Sequence, residues 1–360
     1  MFSTKKSATA IRPAWMTVLS LLAIAALSLP ASAQKVNINY LTSDITAVGP
    51  NLDAHLVNAW GMSISPSGPW WISDNGTGLS TLYDGNGVPQ SLVVTIPPAQ
   101  AGNTGTPTGT VYNASTTDFK IHGIATPFLF CTEDGTISGW YTGTTAFIAL
   151  NNNPSGAVYK GMALAQAGGA NYIYVANFHA GTVEVYDGTY TAHTFSSGQF
   201  TDSSIPTGFA PFNVQLVGSN LVVTYAKQDA AKHDDVPGPG NGYVDIYDTQ
   251  GNLIRRLAHV LYLNSPWGVV QAPASFSGFS NDLLIGNFGS GLITAYNLNT
   301  GAWIGNMLNV ANLPVQINGL WGLTFGNGGS GGPTSTLYFT AGYFDENHGI
   351  FGMITPHPGM

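Results

Sequence analysis

Two sets of residues recur at matching places along this chain, and both carry side chains able to do chemistry. The first set ends six short apolar segments: Asp74, Glu133, Asn177, Tyr225, Asn287 and Ala341. Hard cations such as Ca²⁺ take carboxylate and amide oxygens at roughly 2.3–2.6 Å. Asp74, Glu133, Asn177 and Asn287 are therefore a candidate metal set, with Ca²⁺ as the candidate cofactor. Asp and Asn also end strands because they make local turn bonds, and Asp74-Asn-Gly76 and Glu133-Asp-Gly135 are turn sequences in their own right. The second set opens six other segments: Trp60, Thr108, Lys160, Phe212, Trp267 and Trp321. Its aromatic rings suit either the floor of a ligand pocket or a packed plug.

Lys160 and Glu133 form a candidate ion pair. Lys160 is alternatively an electrophile aimed at a developing oxyanion. The candidate catalytic residues are thus Asp74, Glu133 and Lys160. The candidate ligand-binding residues are Trp60, Lys160, Phe212, Tyr225, Trp267 and Trp321. Two polar loops, Lys227 to Asn241 and Phe344 to His348, belong to the same face and suit lids or binding loops. Their histidines, His233 and His348, lie in no His-x-x-x-His pair and read as surface residues. The chain shows no Gly-x-Ser-x-Gly elbow, phosphate-binding loop, Cys-x-x-Cys or dinucleotide fingerprint.

These two sets follow from a repeat. Six segments begin with glycine and run into an alternating strand: Gly78 to Tyr83, Gly135 to Trp140, Gly181 to Tyr186, Gly242 to Tyr247, Gly291 to Tyr296 and Gly349 to Ile354. The first and last glycines lie 271 residues apart, five intervals of about 54. A continuous apolar strand precedes each copy, as in Trp70 to Asp74 and Ile173 to Asn177, which marks burial on both faces. A third strand lies upstream, clearest at Trp60 to Ile64 and Trp321 to Phe325 and weakest at Thr108 to Tyr112. A fourth lies downstream, as in Ser91 to Ile96. Four strands per repeat, repeated radially, predict an all-β, six-bladed β-propeller of four antiparallel strands per blade. The last copy stops at its third strand. Val36 to Leu41, near the N-terminus, is expected to supply the missing outer strand and so close the ring, removing an open edge.

Composition agrees. The chain has 45 Gly and 21 Pro against 8% charged and 44% hydrophobic residues, a profile of many short strands and turns around a substantial core. Its single cysteine, Cys131, excludes an intramolecular disulfide and sits in an apolar run, as a buried thiol does. Lys5, Lys6 and Arg12 precede an uncharged apolar run from Trp15 to Leu29 and then Ala31-Ser-Ala33, the order of a secretory signal. Residues 1–33 are expected to be that signal and 34–360 one domain, secreted or periplasmic. Removing the signal leaves 7 basic against 18 acidic residues. That excess of negative charge argues against nucleic acid as a partner. No second apolar stretch of spanning length follows, so no membrane insertion is expected.

Asn58-Ala-Trp-Gly-Met-Ser-Ile64 with Trp71-Ile-Ser-Asp-Asn-Gly76, and Ser265-Pro-Trp-Gly-Val-Val270, resemble the NHL-type propeller repeat. Tyr174-Val-Ala-Asn-Phe-His-Ala-Gly-Thr-Val-Glu-Val-Tyr186 is similar to its YVTN variant. Across nearly the whole of 34–360 the chain resembles a family of exported bacterial propeller proteins of unknown function, through Asn58-Ala-Trp-Gly61, Thr132-Glu-Asp-Gly-Thr-Ile137, Tyr159-Lys-Gly161, Gly286-Asn-Phe-Gly289 and Leu320-Trp-Gly-Leu323. That resemblance implies no reaction. Asp74, Glu133, Asn177 and Asn287 also resemble, by residue type, the metal ring of six-bladed calcium-dependent lactonases of the gluconolactonase type. The expected function is therefore binding of, or interaction with, a small molecule, glycan or protein at the channel mouth. The alternative is a Ca²⁺-dependent hydrolase or lyase of the gluconolactonase type.

Overall fold

A computed structural model of the chain describes residues 1–2, 35–276 and 278–357. The expected secretory signal falls almost wholly outside these residues. Ala33–Met360 is one compact unit. Apart from a 3₁₀ turn at Asn153–Ser155, its regular elements are all strands.

Six sheets, antiparallel but for two short parallel strands added to the sixth, form the blades, and a small hairpin pairs Lys120–Ile121 with Ile124–Ala125. Blade 1 runs outward through Ala59–Ile64, Trp70–Asp74, Leu79–Tyr83 and Pro89–Thr95. Blade 2 runs through Pro107–Tyr112, Phe128–Thr132, Thr136–Trp140 and Phe147–Asn151. Blade 3 has three full strands, Tyr159–Ala167, Ala170–Asn177 and Thr182–Asp187. Its fourth is reduced to a single bridge between Tyr186 and Ala192, the one blade short of the expected four strands. Blade 4 comprises Phe209–Val217, Asn220–Lys227, Gly242–Tyr247 and Leu253–Arg256. Blade 5 comprises Pro266–Gln271, Leu283–Asn287, Ile293–Tyr296 and Trp303–Asn306.

Blade 6 joins both ends of the chain. Leu320–Phe325, Leu337–Tyr343 and His348–Pro356 are completed by Lys35–Ser43, paired antiparallel to the last of them from Val36 opposite Pro356 to Ser43 opposite Ile350. Each innermost strand contacts the next, and the innermost strand of blade 6 contacts that of blade 1, so the ring is closed. The core is a set of apolar layers between neighbouring blades. Leu129, Cys131 and Ile137, for example, pack against Tyr159, Met162, Ile173 and Val175 of the following blade. Burial there pushes the Cys131 thiol up to about 12, which makes it an inert core residue.

The innermost strands share one irregularity. In every blade the register between the first and second strands shifts: between Ala59 and Met62, opposite Phe130 and Thr132, between Tyr159 and Gly161, Pro211 and Asn213, Pro266 and Gly268, and Leu320 and Leu323. Such a bulge re-aims one side chain. Here that residue is Trp60, Lys160, Phe212, Trp267 or Trp321, and in blade 2 it falls at Thr108-Gly109. The next residue is glycine in five blades, because the neighbouring blade's backbone passes against it. A Cβ on Gly61 would collide with the Thr108 carbonyl, and one on Gly268 would sit 2.6 Å from the Trp321 carbonyl oxygen. Blade 4 has Asn213 instead, whose amide donates to the Trp267 carbonyl at 2.8 Å.

Gly268→Ala is therefore expected to destabilise the protein by about 1–3 kcal/mol in urea unfolding. Gly305→Ala, on an outer strand with open space around it, should stay within roughly 0.5 kcal/mol.

Candidate functional site

The bulges build an aromatic plug across one end of the channel. Trp321 stacks on Trp60 and on Phe288, each with ring centroids 3.9 Å apart, and Phe212 and Trp267 pack at 5.8 and 5.9 Å. Trp267 Nε1 donates to the Lys160 carbonyl at 2.9 Å, and Trp321 Nε1 to Asn58 Oδ1 at 3.1 Å. Beneath the plug lies a cavity of about 10 Å³ lined by Gly61, Gly109, Met162 and Asn213, room for about one water.

The strand-two ring does not enter the mouth as a set. Adjacent residues of a strand face opposite ways. Asp74, Asn177, Tyr225 and Asn287 turn into the blades, and the residue after each lies at the mouth. Asp74 Oδ2 accepts from Thr81 Oγ1 at 2.8 Å, and its other oxygen is buried without a partner. Burial holds the Asp74 carboxyl well above the usual range, with the nearby Asp53 adding to the effect against the Thr81 bond. Asn177 donates to Glu184 at 2.6 Å while its oxygen accepts from the backbone of Val158 and Ala180. Asn287 Oδ1 accepts from Asn264 N at 3.0 Å, and Tyr225 and Tyr247 share a hydroxyl bond of 2.7 Å. Thr108 likewise turns to the Tyr159 carbonyl at 2.7 Å.

Glu133 is the exception. Asp74 pairs with Leu79, the residue after Gly78, and in blade 2 the register that sets Cys131 opposite Ile137, continued by one residue, makes Thr132 its counterpart, facing Thr136. Glu133 is thus one position further on, equivalent to Asn75, which donates to Glu133 Oε2 at 2.8 Å. The other members of this displaced ring are Phe178, Ala226, Phe288 and Gly342, of which the first three belong to or pack on the plug. Of the four residues expected to hold Ca²⁺, only Glu133 reaches the mouth.

Above the plug, Lys160 is the centre. Its side chain is 2% exposed, and its ammonium pairs with Glu133 Oε1 and, at 3.1 Å, with Asp234 Oδ1. The same ammonium lies 5.2 Å from the Trp60 ring centroid and 6.0 Å from that of Phe178. Burial alone would lower its pKa, but the carboxylates of Glu133 and Asp234 outweigh burial and hold it above the ordinary value. Asp234 comes from the long polar loop and also bonds His233 Nδ1 at 2.9 Å. That bond raises the His233 pKa, and together with Lys160 it lowers that of Asp234. Asp229 Oδ1 braces the loop by accepting from the backbone N–H of His233. Glu133, His233 and Asp234 place their ligand atoms within 4.8 Å of one another, the one such trio of His, Cys or acidic residues among those described.

Two further carboxylates went unpredicted. Glu346 Oε2 accepts from Asn58 Nδ2 at 2.7 Å. Burial, with Glu133 and Asp235 nearby, pushes Glu346 up to about 7. Asp235, also raised by burial, leaves Oδ2 buried and unpaired. Glu346 is delivered by three consecutive residues at positive φ, Phe344 (50°), Asp345 (52°) and Glu346 (64°), a backbone that non-glycine residues rarely adopt. His348, in the same loop, bonds Asp44 at 2.7 Å.

No protein-family model matches the chain. Uncharacterized protein R648 of Acanthamoeba polyphaga mimivirus is 32% identical over 333 residues, covering 88% of this chain and 79% of that protein. The chain belongs to the R648 family. A further relative, uncharacterized protein L690 of the same virus, is 29% identical over 88% of this chain and 85% of its own. These family members are mimivirus proteins, whereas the repeat motifs resemble those of exported bacterial ones. Among solved structures, a streptogramin B lyase matches with a TM-score of 0.50 at 11% identity, over 89% of this chain and 98% of that one. A protein of unknown function from Bacteroides thetaiotaomicron matches with a TM-score of 0.55 at 12% identity, over 89% and 76%. At such identities these likenesses show that this chain has a propeller fold, and the fold alone.

Lys160→Met is expected to strand Glu133 and to cost up to about 3–5 kcal/mol in urea unfolding, the penalty for breaking a buried pair. Asp234→Asn, at a side chain 65% exposed, should cost under about 1 kcal/mol. Glu346 makes a pH prediction of its own. A carboxyl whose folded pKa is raised binds more protons folded than unfolded. Its contribution is therefore full below the unfolded value near 4.5 and is lost as pH rises towards about 7. Glu346→Gln should flatten stability across that window, measured by urea unfolding at several pH values.

Proposed function

We propose that this protein is an exported binding propeller that takes a positively charged part of its ligand, a divalent cation or an ammonium group, at the mouth above the aromatic plug. The observation that carries this reading is a charge imbalance. Glu133 and Asp234 pair with the ammonium of Lys160, and Asp235 and Glu346 lie near enough to feel its charge without pairing with it. A cation entering the mouth relieves their repulsion, and the rings beneath favour it further. Ca²⁺ is one such cation, and the amine of a small molecule or protein is another. The excess of acidic residues argues against nucleic acid. Among the described residues no helix is long and apolar enough to cross a membrane. The signal-like N-terminus supports a secreted or periplasmic location.

Titration calorimetry with CaCl₂, and separately with putrescine, tests the reading. Binding near pH 7 should release protons from Glu346, so the measured heat should depend on the buffer. Glu346→Gln should reduce that dependence and Glu133→Gln should weaken binding. No heat with either cation would refute the proposal.

A second reading, a Ca²⁺-dependent hydrolase or lyase of the gluconolactonase type, is supported by the Glu133, His233 and Asp234 trio. There the metal would polarise a carbonyl, and Lys160 would face the developing oxyanion. The Lys160 ammonium is held by two of the three ligand residues and is not free to face an oxyanion. That arrangement favours the binding reading. Chelator-sensitive turnover of lactones or esters, lost in His233→Ala, would reverse the preference.

A further inference from the structure

A second concave site lies between blades 3 and 4. It is a cleft of about 290 Å³, at the lower limit of small-molecule pockets, which run from roughly 300 to 1,000 Å³. Its walls alternate in character. Phe200 and Phe209 supply apolar faces, while Thr201, Thr207 and Tyr225 carry hydroxyls. The carboxylate at the cleft, Asp202, is already engaged. One oxygen accepts from Ser204 N and Oγ at 2.8 and 2.6 Å, and the other pairs with Arg256. The lining therefore offers a ligand neutral donors and acceptors rather than a free charge.

The cleft is also braced from behind. Arg256 reaches past Asp202 to the fully buried Asp245 at 3.1 Å. Tyr247 donates to Asp245 at 3.2 Å and shares its hydroxyl bond with Tyr225. With Tyr247 donating to Asp245, Tyr225 donates to Tyr247 and keeps an oxygen lone pair for a further donor. Phe200 is held at a φ of 53°, strained for an aromatic residue, by its N–H on the Gly251 carbonyl at 2.8 Å. Its ring packs on Tyr174 and Tyr247 at 5.7 and 5.4 Å. Such support fixes a wall before any ligand arrives.

A small, neutral, rigid cleft with apolar faces set between hydroxyls complements a ring that has one C–H face and a rim of hydroxyl groups. We infer that the cleft between blades 3 and 4 binds a single uncharged sugar ring, in a site separate from the charged mouth. The size suits one ring rather than a chain.

Saturation-transfer NMR on the purified protein with glucose, galactose, mannose, xylose and N-acetylglucosamine at millimolar concentration tests this inference. Transfer to at least one sugar is expected. It should vanish in Thr207→Trp, which fills the cleft from an exposed position, and the affinity should fall roughly tenfold in Tyr225→Phe. Thr201→Trp replaces Thr207→Trp if the latter does not fold. Asp234→Asn, a mild change at the mouth, should leave the transfer unchanged, so a failed mouth proposal and a failed cleft proposal give different results. The inference is overturned by no transfer to any of the five sugars. It is overturned equally by transfer that survives filling of the cleft, or by transfer lost in Asp234→Asn, which would move the sugar to the mouth.

Discussion

Six innermost strands must meet around one axis with their backbones almost touching, and the structure depends on how that crowding is resolved. The solution is a bulge in each blade, followed in five of the six by a residue without a Cβ. The Thr108 carbonyl against Gly61 and the Trp321 carbonyl against Gly268 are two points on a ring of such approaches, and the Asn213 amide on the Trp267 carbonyl is its polar variant. Because a bulge locally breaks the two-residue alternation of a strand, it turns one side chain per blade towards the axis. The plug residues and Lys160 are therefore consequences of backbone geometry. The ring closes only because Lys35–Ser43 pairs with His348–Pro356.

The electrostatics of the mouth follow from that placement. A lysine 98% removed from solvent needs an anion at hand, and Glu133 lies one residue beyond the end of its strand, where it meets the ammonium. Asp234 then arrives from a loop more than 70 residues downstream, and Glu346 from the other side of the ring. Glu346 and Asp235 lose water without gaining a full counter-charge, which is why both sit above the ordinary carboxylate range, whereas Asp234, paired with Lys160 and His233, is lowered. The aromatic floor excludes water from below and leaves the loops as the adjustable part of the site.

The blades were legible because their strands repeat a pattern of burial that only radial stacking explains, and the weak first strand of blade 2 lies at Pro107–Tyr112, close to its expected place. The aromatic ring was legible for the same reason, since Trp60, Phe212, Trp267 and Trp321 share one bulge position. The oxygen ring was not, because its reading required single-residue register at strand ends. There a turn of three residues in blade 2, against four in blade 1, moves Glu133 out of step with Asp74. Local bonds then decided where each side chain turned: Asp74 to Thr81, Asn177 to Glu184, Asn287 to the backbone of Asn264. Glu346 and Asp235 lie in the two polar loops the sequence marked, but nothing in either loop singled them out. Their approach to Lys160 is set by loop geometry, including three successive left-handed residues, that no periodic pattern encodes. The braced cleft of blades 3 and 4 was hidden similarly, since Asp202, Arg256 and Asp245 belong to three separate segments.

The central claim is that Lys160, clamped by Glu133, is the charge around which the mouth is organised, while Asp74 belongs to the blade interior. Side-chain ¹H–¹⁵N NMR of the lysine ammonium groups tests it most directly. The account predicts one ammonium signal protected from water exchange at neutral pH, absent in Lys160→Met, strongly shifted in Glu133→Gln and unmoved in Asp74→Asn. A Lys160 ammonium that exchanges as fast as those of exposed lysines, or one that responds to Asp74→Asn as much as to Glu133→Gln, would contradict it.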